Sequence, residues 1–411
     1  MHVFLITQYF PPEIGAAATR WGEYTDILVK QGHRVTVLCE MPNYPMGIYF
    51  PNYKRQWVKR EYISQNLTII RSFTWATDRK SIIKKLGNYL IFMLSGFINA
   101  LKIKNYDILI ISSPPLFAGV IGVIIAKIKS IHFFLDIRDL WPESVKSLGE
   151  VKSRVFISLG RKLESFIYKS TTGFILTVPG FKQYFKEHHP VQLKKPMVEL
   201  MNGVSDEFIE LAQQNDRIPD KKFTVLYSGN MGLAQGLDTV IKSAKILRKY
   251  PIDFCFVGDG VELQSLKAKS NQMNLDNISF LPSQKRENLI KIIKKASVCL
   301  VPLKNEPLFQ HAIPSKLFEY MACGRPVIVS IKGEIEKIIK RANSGLIVTP
   351  EDADSIAKQI LYYYNDRDKI KYHGQNGVIY VTENVRKETL LSDALYNIMK
   401  MNVLNMKLLH D

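Results

Sequence analysis

Runs of apolar, β-branched residues alternate with segments of helical periodicity along almost the whole chain. In the first half, VFLIT, RVTVLCE, LTIIRSF, DILIISS, HFFLDI and GFILTV predict strands; ATRWGEYTDILVKQG, the 81–104 region, AGVIGVIIAKIK and SRVFISLGRKLESFIYK predict helices. The second half repeats the scheme, with strands FTVLYSG, DFCFVGDG, ISFLPS, VCLVPL, PVIVS and GLIVT between helices LDTVIKSAKILRKY, ENLIKIIKKA, SKLFEYMACG and SIAKQILYYYND. Strands this uniformly apolar belong to parallel sheets covered on both faces. Two such sets in tandem predict an α/β protein of two doubly wound, Rossmann-like domains. The division is expected in the polar stretch from Asn202-Gly203-Val204-Ser205 to Pro219-Asp220, giving domains over 1–203 and 204–385. The periodic tail 386–405, with no strand after it, is expected to pack back on the first domain.

The length of 411 residues suits two domains, and 46% apolar residues suffice for two cores. The net charge of +18 asks for an anionic partner: membrane surface, nucleic acid or phosphorylated ligand. The excess is concentrated, with eleven Lys or Arg between Lys54 and Lys104 against Glu61 and Asp78. Cys39, Cys255, Cys299 and Cys323 form no C-x-x-C pair and read as inert thiols in a reducing compartment. Met1 leads directly into a strand, without the basic and small-residue features of a signal peptide. The apolar run from Ile108 to Ala126 is broken by Pro114-Pro115, and LGNYLIFMLSGFINAL (86–101), at sixteen residues, is shorter than the ~20 of a spanning helix. Flanked by Arg79, Lys80, Lys84, Lys85, Lys102 and Lys104, that second run suits either a helix lying on a membrane surface or a buried core helix.

In doubly wound folds ligands bind beyond the carboxyl ends of strands, and chemistry-bearing residues fall there. After strand one, Gln8 to Arg20 holds Gly15 and Ala16 at a small-residue turn, with Arg20 placed to meet phosphate; tight strand–helix packing is the alternative. Strand HFFLDI ends in Asp136-Ile137-Arg138-Asp139, where Arg138 either pairs with a neighbouring aspartate or, with Asp139, serves the chemistry. Ser228 to Asp238 carries Gly229, Gly232 and Gly236 between a strand and a helix, so that amides can turn toward an anion; a flexible connection without a ligand is the alternative. Gly258-Asp259-Gly260 is a tight turn that suits a flat base or is simply a commonplace β-turn. Pro314-Ser315-Lys316 opens a helix closed by Gly324; its first turn offers N–H groups and the Lys316 cation for a diphosphate, and Glu319, one turn on, suits paired sugar hydroxyls.

Taken in order, Q-Y-F-P-P-E…G-A-A-A-T-R-W, Q-G-H-R-V-T-V-L, S-G-N-M-G-x-x-Q-G-L, V-G-D-G and P-S-K-x-x-E-Y-M-A-C-G-R-P-V-I make the chain resemble family 4 glycosyltransferases of the GT-B fold, retaining nucleotide-sugar enzymes. D-L-W-P-E-S and P-N-Y-P are similar to the branch of bacterial N-acetylfucosaminyl transferases of O-antigen, capsule and colanic-acid assembly. The resemblance implies two parallel sheets facing a central cleft, a donor domain in the second half and an acceptor domain in the first. It assigns Glu319 to the nucleotide ribose as second glutamate of an E-x7-E pattern, with His311 where the first glutamate stands in relatives. Gly232, Gln235, Gly236, Gly258, Asp259, Gly260, His311, Ile313, Pro314, Ser315 and Tyr320 are expected around the donor; Gly15, Ala16, Arg20 and Arg138 around the acceptor. Where many relatives have Arg and Lys in the glycine loop this chain has Asn230 and Gln235, which leaves Lys316 as the main cation for the leaving diphosphate. Asp139 falls near the acidic position of the first domain.

The implied reaction moves a UDP-linked N-acetylated amino sugar, with L-FucNAc as first candidate, to a polyprenyl-diphosphate-linked glycan with retention. Lys316, Glu319 and Asp139 are expected to carry it, without a metal or other cofactor. The triplets Asp352-Ala353-Asp354 and Asp366-Arg367-Asp368 are read as helix-terminal rather than metal-binding. A peripheral enzyme on the inner face of the cytoplasmic membrane, attached through 79–104, fits the charge. Two rivals are a GT-B-fold UDP-sugar epimerase needing no acceptor, and a basic membrane-surface or nucleic-acid binding protein, although no nucleic-acid module is recognisable.

Overall fold

The computed structural model describes residues 1–77, 81–147, 153–214 and 222–407. The basic flank at Arg79 and Lys80 and the boundary at Pro219-Asp220 lie outside them. The chain divides into two units, one of Met1–Leu200 with Leu391–Asp411, the other of Met201–Leu390.

The first unit runs β1 (His2–Ile6), α1 (Ala16–Lys30), β2 (Arg34–Glu40), β3 (Val58–Ser64), β4 (Leu67–Ser72), α2 (Ile82–Leu101), β5 (Ile108–Ser113), α3 (Leu116–Lys129), β6 (Phe133–Ile137), α4 (Glu143–Ser147), α5 (Arg154–Ser170), β7 (Gly173–Leu176), α6 (Phe181–His188) and β8 (Met197–Glu199). Its sheet has the order β3-β4-β2-β1-β5-β6-β7-β8. β3 is antiparallel to β4 and every other pairing is parallel. β3 and the short β8 are additions to the strands expected from sequence. VKREYIS escapes an apolar-run criterion because this edge strand carries the charges Lys59-Arg60-Glu61 at its centre.

In the second unit α7 (Asp206–Gln214) precedes β9 (Phe223–Ser228), α8 (Leu237–Ile246), β10 (Ile252–Val257), α9 (Leu263–Gln272), β11 (Ile278–Leu281), α10 (Arg286–Lys295), β12 (Val298–Pro302), α11 (Lys316–Ala322), β13 (Val327–Ser330), α12 (Glu334–Ala342), β14 (Gly345–Ile347), α13 (Ala353–Asn365) and α14 (Arg367–Asn384). α15 (Lys387–Lys407) begins in this unit, and from Leu391 it belongs to the first, where Gln31 donates to Ser392 Oγ at 3.1 Å. The second sheet, β11-β10-β9-β12-β13-β14, is parallel throughout. In both sheets the order reverses beside the first strand, between β1 and β5 and between β9 and β12, which is where doubly wound folds open a ligand crevice. Asp352 and Asp366, the leading aspartates of the two D-x-D triplets, accept from Ser355 N at 3.0 Å and Asp368 N at 3.2 Å and so cap α13 and α14.

α2 mixes polar residues into its buried face, where Asn88, Ser95 and Asn99 stand beside Phe92, Gly96 and Ala100. Asn88 donates to Thr74 Oγ1 and to Trp75 O, both at 2.9 Å, and accepts from Gln8 at 2.7 Å; Asn99 donates to Ser72 Oγ at 3.0 Å. Its outer stripe is apolar, with Ile83 at 79% and Leu94 at 58% exposure beside Leu90 and Ile98. Among the described residues no helix is long and apolar enough to cross a membrane.

The first unit is organised on one buried charge. Asp136, fully buried at the end of β6, accepts from Arg20 at 2.7 Å, from Trp21 Nε1 at 2.7 Å and from Ser112 Oγ at 2.9 Å. Removing the carboxylate strands the Arg20 cation in the core. Asp136→Ala should therefore destabilise this unit by about 3–5 kcal/mol, read by urea unfolding with Trp21 as reporter; a change below about 1 kcal/mol would contradict the anchoring role.

Candidate active site

In the second unit, the residues expected around a donor converge beyond the ends of β9, β10 and β12. Two strand-exit loops are fused by backbone contacts. Gly229 N donates to Val257 O at 2.9 Å, Met231 N to Asp259 O at 2.7 Å and Glu262 N to Met231 O at 3.0 Å. The approach is closer than a side chain permits: a Cβ on Gly258 (φ +139°) would stand 2.1 Å from Gly229 O. A Cβ on Gly260 would stand 2.4 Å from Met231 O. Gly236, at φ +58°, leads into α8 beside Lys304, whose amide donates to Ala234 O at 2.9 Å.

Lys316 stands against this platform. Its ammonium lies 3.9 Å from the centroid of Tyr227, and a Cβ on Gly229 would be 2.9 Å from Nζ. The residue keeps part of its surface open, yet the protein packed around the ammonium pushes its pKa down to about 7, against the opposing pull of Glu319. A cation held at the rim of fused amide loops, short of a full countercharge, is suited to a diphosphate. Glu319 is partly buried one turn further along α11, and His311, Ile313 and Pro314 keep partial exposure just before it. The 307–311 turn carrying His311 is fixed by Gly333 (φ +96°), where a Cβ would meet Gln310 O at 2.1 Å.

Four donor-side expectations change. Tyr320 is fully buried: its hydroxyl accepts from Ser228 N at 2.7 Å and bonds Ser228 Oγ at 3.0 Å, so it fixes the platform from beneath rather than facing a ligand. Gln235 folds back, its Oε1 accepting from Gly232 N at 3.0 Å, so that amide is occupied by the loop's own side chain. Asp259 is exposed and its Oδ1 accepts from Gly260 N at 2.7 Å, closing the turn upon itself. α11 starts at Lys316, Ser315 is exposed and makes no side-chain cap, and the Leu317 and Phe318 amides donate to Pro314 O and Ser315 O at 3.0 and 3.1 Å. The first turn is thus less open to an anion than its sequence suggests, and Lys316 carries more of that role. In the sequence Tyr227 reads as one more apolar strand residue; its signal is an aromatic two places before the loop's first glycine.

In the first unit, Gly15 and Ala16 start α1 at a partly open surface. Arg20 does not join them, since its guanidinium is 1% exposed and paired with Asp136. Burial of that pair outweighed the phosphate role expected of it. Arg138 pairs with neither aspartate by hydrogen bond: it donates to Pro114 O, while its Nε is buried without a partner among the described residues. Asp139 is exposed at its surface and accepts from Leu140 N at 2.8 Å; desolvation by the surrounding atoms raises its pKa above the ordinary carboxylate value. Buried Glu13 ties Q-Y-F-P-P-E to P-N-Y-P, accepting from the Asn43 and Tyr44 amides, each at 2.9 Å. Burial and the nearby Glu40 push its pKa up to about 8.

Residues 208–378 match the family model "Glycosyl transferases group 1". Over 342 residues the chain is 24% identical to the Escherichia coli K12 protein named "Putative colanic acid biosynthesis glycosyl transferase WcaI", covering 80% of this chain and 82% of that one. Among solved structures, sucrose-phosphate synthase from Thermosynechococcus elongatus superposes with a TM-score of 0.76 at 20% identity, covering 100% and 99% of the two chains. Anabaena HepE in complex with UDP-glucose gives 0.67 at 14% identity, covering 97% and 100%. The protein is a glycosyltransferase of the two-domain GT-B fold. Its second unit carries the match to the group 1 transferases.

A lowered lysine pKa leaves a sign that titration can read. Below about 7 the Lys316 ammonium is charged and attracts a diphosphate; above it the free site loses that charge. The affinity for a nucleotide sugar, whose own charge is constant here, should fall roughly fivefold between pH 7 and 8. An affinity flat across that interval would place the ammonium's titration elsewhere.

Proposed function

We propose that the enzyme transfers a hexosyl group, an N-acetylated amino sugar with L-FucNAc as first candidate, from a UDP-sugar to a polyprenyl-diphosphate-linked glycan. The setting is assembly of a bacterial cell-surface polysaccharide of the O-antigen, capsule or colanic-acid kind, and the enzyme acts from the cytoplasmic face of the membrane. The observation that carries the reading is the Lys316 ammonium, held over Tyr227 against Gly229 at the switch point of the second sheet. Further support comes from the colanic-acid name of the Escherichia coli relative and the UDP-glucose bound to a fold neighbour. The outward apolar stripe of α2 and its basic flanks favour a peripheral place on anionic lipid.

In this reading the diphosphate leaves against Lys316, whose charge is worth most as negative charge develops, and Glu319 holds the ribose. His311, Ile313, Pro314 and Ser315 border the sugar. Gly15, Ala16 and Arg138 serve the acceptor, and Asp139 stabilises charge on the reacting sugar rather than acting as an obligatory base. Configuration at the transferred carbon is retained, with the departing diphosphate taking the acceptor proton.

The test is transfer from a panel of UDP-N-acetyl sugars to lipid-linked acceptors, followed by mass spectrometry and NMR of the new linkage. The expected product keeps the donor's anomeric configuration, and Lys316→Ala lowers turnover by about 10²–10³. Conversion of the UDP-sugar to an epimer without acceptor would replace this reading by the epimerase one.

A further inference from the structure

The first unit contains a cavity of about 250 Å³ that the donor chemistry does not use. It lies at the switch point of the first sheet, where the exits of β1 and β5 diverge. Its wall is formed by Leu86 and Tyr89 of α2, Leu116 and Phe117 at the start of α3, Trp141, and Phe156 of α5. Tyr9, Pro114, Pro115 and Val145 complete an almost wholly apolar surface. Its charged side chains, Arg138 and Lys85, are both cationic. Among the described lining residues there is no carboxylate, carboxamide or aliphatic hydroxyl, the groups that sugar hydroxyls require.

That lining selects an amphiphile: an apolar chain with an anionic head. The volume lies below the roughly 300–1,000 Å³ of pockets that enclose a whole drug-sized ligand, so it takes a segment of one. Arg138 supplies the second observation. One of its terminal nitrogens donates to Pro114 O, but its Nε is buried and unsatisfied among the described residues, a costly state that an oxyanion at the cavity would relieve. Ile82, part of the cavity's lining, is itself 40% exposed and directly precedes Ile83, the first residue of the outer α2 stripe.

We infer that this cavity holds the isoprenoid segment next to the diphosphate of the lipid-linked acceptor, with Arg138 and Lys85 meeting the phosphates. The inference rests on the acceptor class proposed above and adds where the lipid is read: the enzyme selects its acceptor partly by the carrier chain, not by the glycan alone. An isoprenoid's methyl branches and flat double bonds suit a cavity walled by aromatic rings and prolines.

The test is calorimetric titration of the whole protein, held at saturating UDP so that the second unit's anion site is filled, with farnesyl diphosphate, farnesol and inorganic diphosphate. Farnesyl diphosphate should bind one site at least about tenfold more tightly than either half alone, since both burial and charge contribute. Arg138→Gln should weaken it about tenfold, and Val145→Trp, which fills the cavity, by at least as much. Both variants should keep wild-type affinity for UDP, which also reports that they are folded. Binding of farnesyl diphosphate no tighter than inorganic diphosphate, or unchanged in Val145→Trp, would overturn the inference. Equal competition by a short-chain phosphatidylglycerol would overturn it too, making the cavity a general acyl-lipid site. Failure of wild type to bind UDP strikes the donor reading alone, because farnesyl diphosphate titrated without UDP still judges the cavity.

Discussion

The second unit of this enzyme depends on backbone packed against backbone at a distance that no side chain survives. At Gly258 and Gly260 the exit of β10 presses on the carbonyls of Gly229 and Met231, and any Cβ would stand 2.1 to 2.4 Å away. This contact fuses two otherwise independent loops into one surface of peptide groups. Tyr320 locks the surface from below through Ser228, and Lys316 reaches it from the side over Tyr227. Burial lowers the pKa of its ammonium to about 7, against the pull of Glu319. In the proposed function a diphosphate beside it would gain a charge-assisted contact already oriented, with part of the ordering cost met in folding.

The first unit solves a different problem. Two of its buried acids are held by internal partners: Asp136 by Arg20, and Glu13 by the amides of the facing loop. Both arrangements hold strand exits in place while leaving the surface between them apolar. α2 continues that logic in reverse, sending asparagine and serine inward to bond the neighbouring backbone and isoleucine and leucine outward. A water-facing helix gains nothing from that polarity, whereas a lipid-facing one does. In the proposed function, the second unit's site serves the nucleotide sugar and the first unit's apolar surface serves the lipid-borne acceptor.

The alternation of strands and helices was legible because parallel strands are buried on both faces and read as continuous apolar runs. β3 was not, since this antiparallel edge strand sets three consecutive charges, Lys59-Arg60-Glu61, between its apolar residues and forms no apolar run. Glycine positions in the second unit were legible as loops, but their reason lies in contacts between residues about thirty apart, such as Gly229 with Gly258. Arg20 was misread because its partner Asp136 is 116 positions away, a pairing that strand order creates and local pattern does not. Gln235 and Tyr320 were placed in the right neighbourhood with the wrong orientation, since sequence gives a residue's address before its direction. Lys316 was legible as a cation at a loop–helix junction; the aromatic ring beneath it was not.

The central claim is that the second unit's fused loops and Lys316 form a nucleoside diphosphate site. Calorimetric titration of the whole protein with UDP, repeated on Lys316→Ala and Glu319→Ala, tests it most directly. The account predicts micromolar-range binding of about −8 kcal/mol, weakened in both variants while their thermal unfolding stays near that of wild type. Absence of binding to UDP, and then to GDP and TDP, would contradict it, as would UDP affinity indifferent to both substitutions.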